Sequence, residues 1–169
     1  MILQEHRLDP TMVEAARIFA LHAHGDQKYG EEPYEVHLSA VVAILHERFN
    51  DSELEAAGWL HDVIEDTPVS LQELLKVFPE STVAIVHAVT SEPGANRKER
   101  NSATYPKIRT NHKAVIVKLA DRIANVRNSI ASNSKLLNMY KREYPGFRVA
   151  LYYEAPDIFS MWEELDSLC

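Results

Sequence analysis

The chain has almost no cysteine. Among its 169 residues the single thiol is that of the last, Cys169, so a disulfide framework, a CxxC zinc site and an embedded cysteine nucleophile are all excluded. Glycine is scarce as well. The five glycines, at positions 25, 30, 58, 94 and 146, fall in no GxGxxG or GxxxxGK spacing, which argues against a glycine-rich phosphate cradle. No apolar run approaches the ~18 residues of a membrane span, and the opening Met1-Ile2-Leu3-Gln4-Glu5-His6 lacks the basic start and apolar centre of a secretory signal. Positive charge is also short: 18 Lys and Arg stand against 25 Asp and Glu, a net charge of −7. Binders of nucleic acid or of anionic membranes need clustered cations, so neither partner is expected. An anionic small molecule stays open, because a bound divalent cation reverses the local sign. The expectation is a cytoplasmic protein, and no feature of the sequence encodes an oligomeric state.

What is present is helical pattern. The 46% hydrophobic fraction and the length fit one domain with a sizeable core, covering 1–169. Asp9-Pro10-Thr11 is a helix-start signal, and apolar residues recur at helical spacing from Met12 to His24 before Gly25 stops them. Gly25 to Tyr34 reads as a loop. His37 to Phe49 predicts a second helix, and Ser52 opens a third that runs through the His61-Asp62 pair to the stop at Thr67-Pro68. Serine caps predict short helices over Ser70–Val77 and Ser81–Thr90, the latter extendable to Pro93-Gly94. Asn96–Thr104 reads as a loop or a helix start, Ala114–Ser129 as a strong helix, and the tail from Ser134 as further helical segments with Trp162 near the end. Val115-Ile116-Val117 could form a strand but would have no partner. The economical fold is all-α, a single-domain helical bundle.

The informative cluster is His61-Asp62 followed by Glu65-Asp66, set among apolar Trp59, Leu60, Val63 and Ile64. Unpaired buried charge is costly, and a metal ion gives a reason for it. On one continuous helix His61 would stack over Glu65 and Asp62 over Asp66, so that all four share an edge. His61 and Asp62, being adjacent, need further ligands from other helices. His37, at the start of the second helix, and Asp121, in Lys118-Leu119-Ala120-Asp121-Arg122, lie in similar apolar settings. Two imidazoles with two carboxylates and no sulfur suit Mn²⁺, Fe²⁺ or Zn²⁺ and leave coordination positions open.

His37, the pair His61-Asp62, and Asp121 together resemble the H…HD…D signature of the HD-domain metal-dependent phosphohydrolases. Three segments are similar to blocks of the RelA/SpoT-type guanosine tetraphosphate hydrolase domain: Glu31 to His37, Trp59 to Thr67, and Val117 to Asn125. They span about residues 25–130, and the Leu-His-Asp-Val-Ile-Glu-Asp-Thr block is the specific one. The resemblance implies an HD-type helical fold in a small stand-alone alarmone hydrolase. It further implies one divalent metal, foremost Mn²⁺, held by His37, His61, Asp62 and Asp121. The implied reaction is removal of the 3′-pyrophosphate of guanosine tetra- or pentaphosphate by a metal-activated water. Glu65 and Asp66 would position and activate that water, and Lys28, Asn125 and Tyr140 would contact the phosphorylated guanosine nucleotide. The first loop departs from the family pattern, with Tyr29 in place of a second basic residue and Leu38 in place of a proline.

That departure keeps alternatives in view: an HD-fold phosphohydrolase of another phosphorylated nucleotide, such as the 2′-phosphate of NADPH, or a nucleotide-binding regulator without catalysis. A di-iron oxygenase of related fold would need additional histidines that the sequence does not offer. His6, His46 and His112 read as surface residues, His22 and His24 as poor co-ligands two apart on a helix, and His87 as a hydrogen-bonded core residue. Arg97, Lys98 and Arg100 form a basic segment, by default a solvated loop and alternatively a phosphate-gripping lid. Tyr140 and Tyr144 serve either nucleotide closure or aromatic packing.

Overall fold

The structure is a computed structural model and describes residues 10–169; the start signal at Asp9 and the surface assignment of His6 lie outside the described residues. The all-α expectation holds. Helix α1 (Pro10–His24) ends where Gly25 adopts φ +52°, the left-handed conformation that closes a helix at low cost only for glycine. The predicted loop that follows contains a two-stranded antiparallel hairpin, β1 (Lys28–Tyr29) and β2 (Glu32–Pro33), with Lys28 opposite Pro33 and Tyr29 opposite Glu32. Helix α2 (Glu35–Phe49) follows and stops at left-handed Asn50.

Helix α3 (Ser52–Leu60) is capped by Asp51, whose carboxylate accepts from the amides of Glu53 and Leu54. The prediction of one helix running on through Asp66 is corrected here. The helix stops at Leu60, His61 and Asp62 form a turn, and α4 (Val63–Asp66) begins afresh. The cause is local. His61 Nδ1 donates to the Gly58 carbonyl at 2.7 Å, the acceptor that a continuing helix would reserve for the Asp62 amide. Asp62 settles at φ −102°, ψ −1°, in the bridge region frequented by active-site residues. The four ionisable side chains therefore do not share one helical edge.

Helix α5 (Leu71–Leu75) carries the predicted serine cap as a full capping box between Ser70 and Glu73. Helix α6 (Glu80–Val89) is capped two residues earlier than predicted, at Pro79 rather than at Ser81, and ends at extended Thr90 without reaching Pro93-Gly94. Ser81, Ala84 and His87 form its exposed three-residue stripe while Val83, Ile85, Val86 and Val89 face inward. His87 is thus a surface residue, not a core one. Asn96 caps α7 (Arg97–Arg109), so the basic segment is helical. Its Pro106 removes the amide that would bond the Ser102 carbonyl.

Helix α8 (His112–Ala131) forms the axis of the fold. It is capped by Asn111, buries Val115, Val117, Leu119, Ile123 and Val126 completely, and packs against α2, α3, α6 and α7. The helices α9 (Leu136–Leu151) and α10 (Phe159–Leu168) close its remaining sides, and Phe147 and Trp162 join the core there. Gly58 sets the approach of α3 to α2: a Cβ at that position would lie 2.7 Å from Leu45 Cδ1 and 3.1 Å from Val42 Cγ2. That close crossing brings the ends of α2 and α3 together against the middle of α8. Among the described residues no helix is long and apolar enough to cross a membrane.

Candidate metal centre

Three elements deliver the predicted ligand residues to one place. His37 comes from the first turn of α2, His61 and Asp62 from the turn between α3 and α4, and Asp121 from the buried face of α8. His61 Nε2 lies 2.9 Å from Asp62 Oδ2 and 3.7 Å from Asp121 Oδ1. His37 Nε2 lies 3.3 Å from His61 Nε2, 3.3 Å from Asp121 Oδ1 and 3.5 Å from Asp62 Oδ2. His37, His61 and Asp121 each offer one ligand atom, all within 4.8 Å of one another, and form a group able to hold a divalent ion.

The electrostatics suit a cation. Burial works against charge on both imidazoles, yet His37 is raised above its ordinary pKa by hydrogen bonds to Asp121 and Asp62, and His61 is raised well above by the Asp62 charge and its bond to Asp121. Burial likewise opposes ionisation of the carboxyls, but His61 and His37 hold Asp62 far below the carboxylate range, and Lys118 with His37 does the same for Asp121. Two carboxylates that draw protons onto two histidines are a site short of positive charge. A divalent ion supplies that charge and takes the place of the protons. The His61 bond to Gly58 fixes the protonated nitrogen as Nδ1 and turns Nε2 inward as a ligand atom, the arrangement usual for metal-binding histidine. Among the described residues His37 has no such bond, and its Nδ1 is buried without a partner there. Its ring is held instead by stacking on Tyr29, at 4.8 Å and 28°.

A surrounding shell fixes the ligands. Lys118 Nζ donates to Asp121 Oδ2 at 2.9 Å and Asn125 Nδ2 to Asp121 Oδ1 at 2.7 Å, while Tyr29 Oη donates to Asn125 Oδ1 at 2.7 Å. Asn125, expected at the nucleotide, thus has both ends of its amide engaged within the protein. Tyr34 Oη donates to Asp62 Oδ2 at 2.6 Å and lies 3.1 Å from Asp66 Oδ2. Burial and then the Asp62 charge push the Tyr34 phenol far above its ordinary value, and burial pushes the Tyr29 phenol up to about 12. Both remain donors at neutral pH.

Glu65 and Asp66 are exposed and part company. Asp66 Oδ2 also accepts from Gln27 Nε2 at 3.1 Å. Glu65 Oε1 accepts from the Ser91 amide at 2.8 Å and borders a cleft of about 390 Å³ lined by Arg97, Arg100 and Asn101. Lys28 is exposed on the hairpin, between Gln27 and Tyr29 of this network. Tyr140 is buried under Arg122 and Arg97, their guanidinium carbons 5.0 and 5.9 Å from its ring centre.

Three contributors were not read from the sequence: Tyr34, Gln27 and His24. Tyr34 precedes His37 by one turn, and the Pro-Tyr-x-x-His spacing was the available signal. His24 is buried, stacks on Tyr34 at 4.5 Å and meets Gln27 Oε1 through Nδ1 at 2.9 Å. Since Gln27 spends its amide protons on Asp66, His24 must carry its proton on Nδ1. No spacing in the sequence announces that chain of bonds, because the loop between Gly25 and Tyr34 has no periodicity to read.

A family model described as HD domain matches residues 15–145. The chain is 33% identical over 132 residues to a probable guanosine-3′,5′-bis(diphosphate) 3′-pyrophosphohydrolase of Synechocystis sp., covering 74% of this chain and 17% of that protein. It is 36% identical over 118 residues to guanosine-3′,5′-bis(diphosphate) 3′-pyrophosphohydrolase MESH1 of Danio rerio, covering 65% of this chain and 64% of that one. The matched stretch therefore spans less than two thirds of either relative's length. In fold the chain is similar to the solved structure of a metazoan ortholog of SpoT that hydrolyses ppGpp, with a TM-score of 0.80 at 22% identity over 95% of this chain and 94% of the other.

Proposed function

The chain belongs to the HD-domain family, and from that premise we propose that it is a divalent-metal-dependent phosphohydrolase that releases the 3′-pyrophosphate of guanosine tetra- or pentaphosphate. The observation that carries the reading is the convergence of His37, His61, Asp62 and Asp121 with Asp66 tied to Asp62 through one tyrosine hydroxyl. The names of the Synechocystis and Danio rerio relatives supply the substrate class.

His37, His61, Asp62 and Asp121 would hold one ion; their mixed nitrogen and oxygen donor set suits Mn²⁺, Fe²⁺ or Zn²⁺, and the resemblance to the guanosine tetraphosphate hydrolase domain puts Mn²⁺ first. When bound, it supplies Lewis acidity, lowering the pKa of nearby water toward ~7 and offsetting phosphoryl charge. The remaining chemistry falls to side chains. Asp66 Oδ2 accepts from Gln27 and lies against the Tyr34 hydroxyl, which leaves Oδ1 to take the proton of the attacking water. Water adds to the phosphorus attached to the 3′ oxygen, the bond between them breaks, that oxygen takes up a proton, and pyrophosphate leaves. Glu65, with Arg97 and Arg100 around the adjoining cleft, lines the side suited to the departing pyrophosphate. Asn125 and Lys118 keep Asp121 in place. Lys28 and Tyr29 on the hairpin and Tyr140 beneath the arginines would flank the nucleoside.

A second reading, a phosphohydrolase of another nucleotide, draws on Tyr29, whose hydroxyl is committed to Asn125 where a cation would face the substrate. A substrate panel with Mn²⁺ separates the two. Our reading expects pyrophosphate from guanosine tetraphosphate at a rate well above orthophosphate release from NADPH. Faster turnover of NADPH would overturn it.

A further inference from the structure

We propose that the groove between α7 and α9 is a second binding site, one that takes a single-chain anionic amphiphile: an unbranched alkyl body ending in a carboxylate or phosphate. The groove has a volume of about 1040 Å³, the size of a small-ligand site. Its two ends differ. At the start of α7 stand Arg97 and Lys98, with Arg142 facing them from α9; Pro106, Gly146 and Ala150 follow, and at the far end the cation, Arg109, is already engaged, its guanidinium carbon 4.0 Å from the ring centre of Tyr153.

Among the described residues Lys98 and Arg142 make no ion pair and are exposed, in a chain that carries a net charge of −7. Uncompensated cations beside an apolar trough are complementary to a ligand with one anionic end. Phe147 and Tyr105 beneath the trough are closed off from solvent, which leaves Pro106, Met139, Gly146 and Ala150 as its accessible apolar strip. A partner helix would need to cover about 800 Å² on each side, more than such a strip offers, whereas an alkyl chain fits it. Along α7 the trough from Lys98 to Thr110 is about 18 Å long, enough for a medium-length chain. Gly146 leaves it open: a Cβ there would meet nothing within 4 Å.

Occupancy would reach the metal centre through one residue. Arg97 lines this groove and also the cleft beside Glu65, and its guanidinium is held by Glu143, which in turn holds Arg122. An anion seated by Lys98 and Arg142 competes with Glu143 for Arg97. That consequence rests on the phosphohydrolase reading; the binding site does not.

The test is calorimetric titration of the metal-free full chain with dodecyl phosphate below its micelle concentration, which reads binding without any turnover. One saturable site is expected, weakened at least tenfold in Lys98→Ala/Arg142→Ala and in Gly146→Leu. The latter should keep or slightly raise the parent melting temperature, since leucine replaces a helical glycine facing open space. Dodecyltrimethylammonium should not bind at that site. Equal uptake of the cationic chain, undiminished binding by Gly146→Leu, or no saturable binding would each overturn the proposal. So would a parent chain that is dimeric by light scattering and made monomeric by Gly146→Leu, which would give the groove to a second copy.

Discussion

Replacing Tyr34 by phenylalanine removes one oxygen atom and tests how the centre is held. That hydroxyl donates to Asp62 Oδ2 at 2.6 Å and lies 3.1 Å from Asp66 Oδ2. It has a single proton, so it serves one carboxylate at a time. A hydrogen bond to a charged acceptor contributes about 1.5–3 kcal/mol, and the partial exposure of Asp62, 18%, places this one near the lower end. About 1.5–2 kcal/mol corresponds to a roughly 10–30-fold loss in whatever depends on the orientation of Asp62. Metal affinity by calorimetry should fall by that factor, within the range seen when partners of metal ligands are removed. Turnover at saturating metal should fall as well, because Asp66 loses the hydroxyl that links it to Asp62. The ring itself remains, stacked on His24 at 4.5 Å, so the melting temperature should fall by no more than about 8 °C. A Tyr34→Phe protein with parental metal affinity and parental turnover would refute the assignment of the hydroxyl as the link between metal ligand and base.

Other perturbations probe the remaining parts. Gly58→Ala pushes a methyl to 2.7 Å from the buried Leu45 side chain; overpacking of ~1–3 kcal/mol less a helical gain of ~1 kcal/mol for alanine should leave a net destabilisation of up to about 2 kcal/mol, and a melting temperature above the parent would contradict the tight α2–α3 crossing. Gln27→Leu should lower kcat several-fold with little change in metal affinity; loss of metal instead would show that Gln27 supports the ligands rather than Asp66. The pH dependence has a definite sign. His61 is raised above its unfolded value, so its contribution to the metal-free fold is full below pH ~6.5 and lost as pH rises through the raised value, whereas the contributions of Asp62 and Asp121, both depressed, are present above ~4 and lost on acidification. Metal displaces the imidazole protons, so metal affinity should strengthen with rising pH and binding to unbuffered protein at neutral pH should release acid. An affinity that does not change as pH rises above ~6.5, where the raised histidines still hold protons for the metal to displace, would show that the histidines are not ligands.

How much of this was legible in the sequence depends on which force decides each element. Helices α1, α2 and α8 were readable because their apolar spacing and their stops agree, as at Gly25. The break at His61-Asp62 was not, since it arises from a side chain taking a backbone acceptor, Nδ1 of His61 on the Gly58 carbonyl, and apolar periodicity is blind to that. His87 was misread for a related reason: an apolar neighbourhood in sequence does not give the facing of one residue, and the buried stripe of α6 simply passes it by. At the site, the residues predicted as ligands were brought together because their motif is local to helix ends that pack on α8. Tyr34, Gln27 and His24 act across a loop and a hairpin, where geometry follows from tertiary contacts and not from spacing.

The central claim is that these four side chains hold a metal on which phosphate chemistry depends. The direct measurement pairs metal content by elemental analysis with pyrophosphate release from guanosine tetraphosphate, for the parent chain reconstituted with Mn²⁺ and for Asp62→Ala. The account predicts stoichiometric metal and steady pyrophosphate release in the parent, and loss of both together in the variant with the helical fold retained by circular dichroism. A parent chain that releases pyrophosphate without metal, or an Asp62→Ala chain that keeps both, would contradict it.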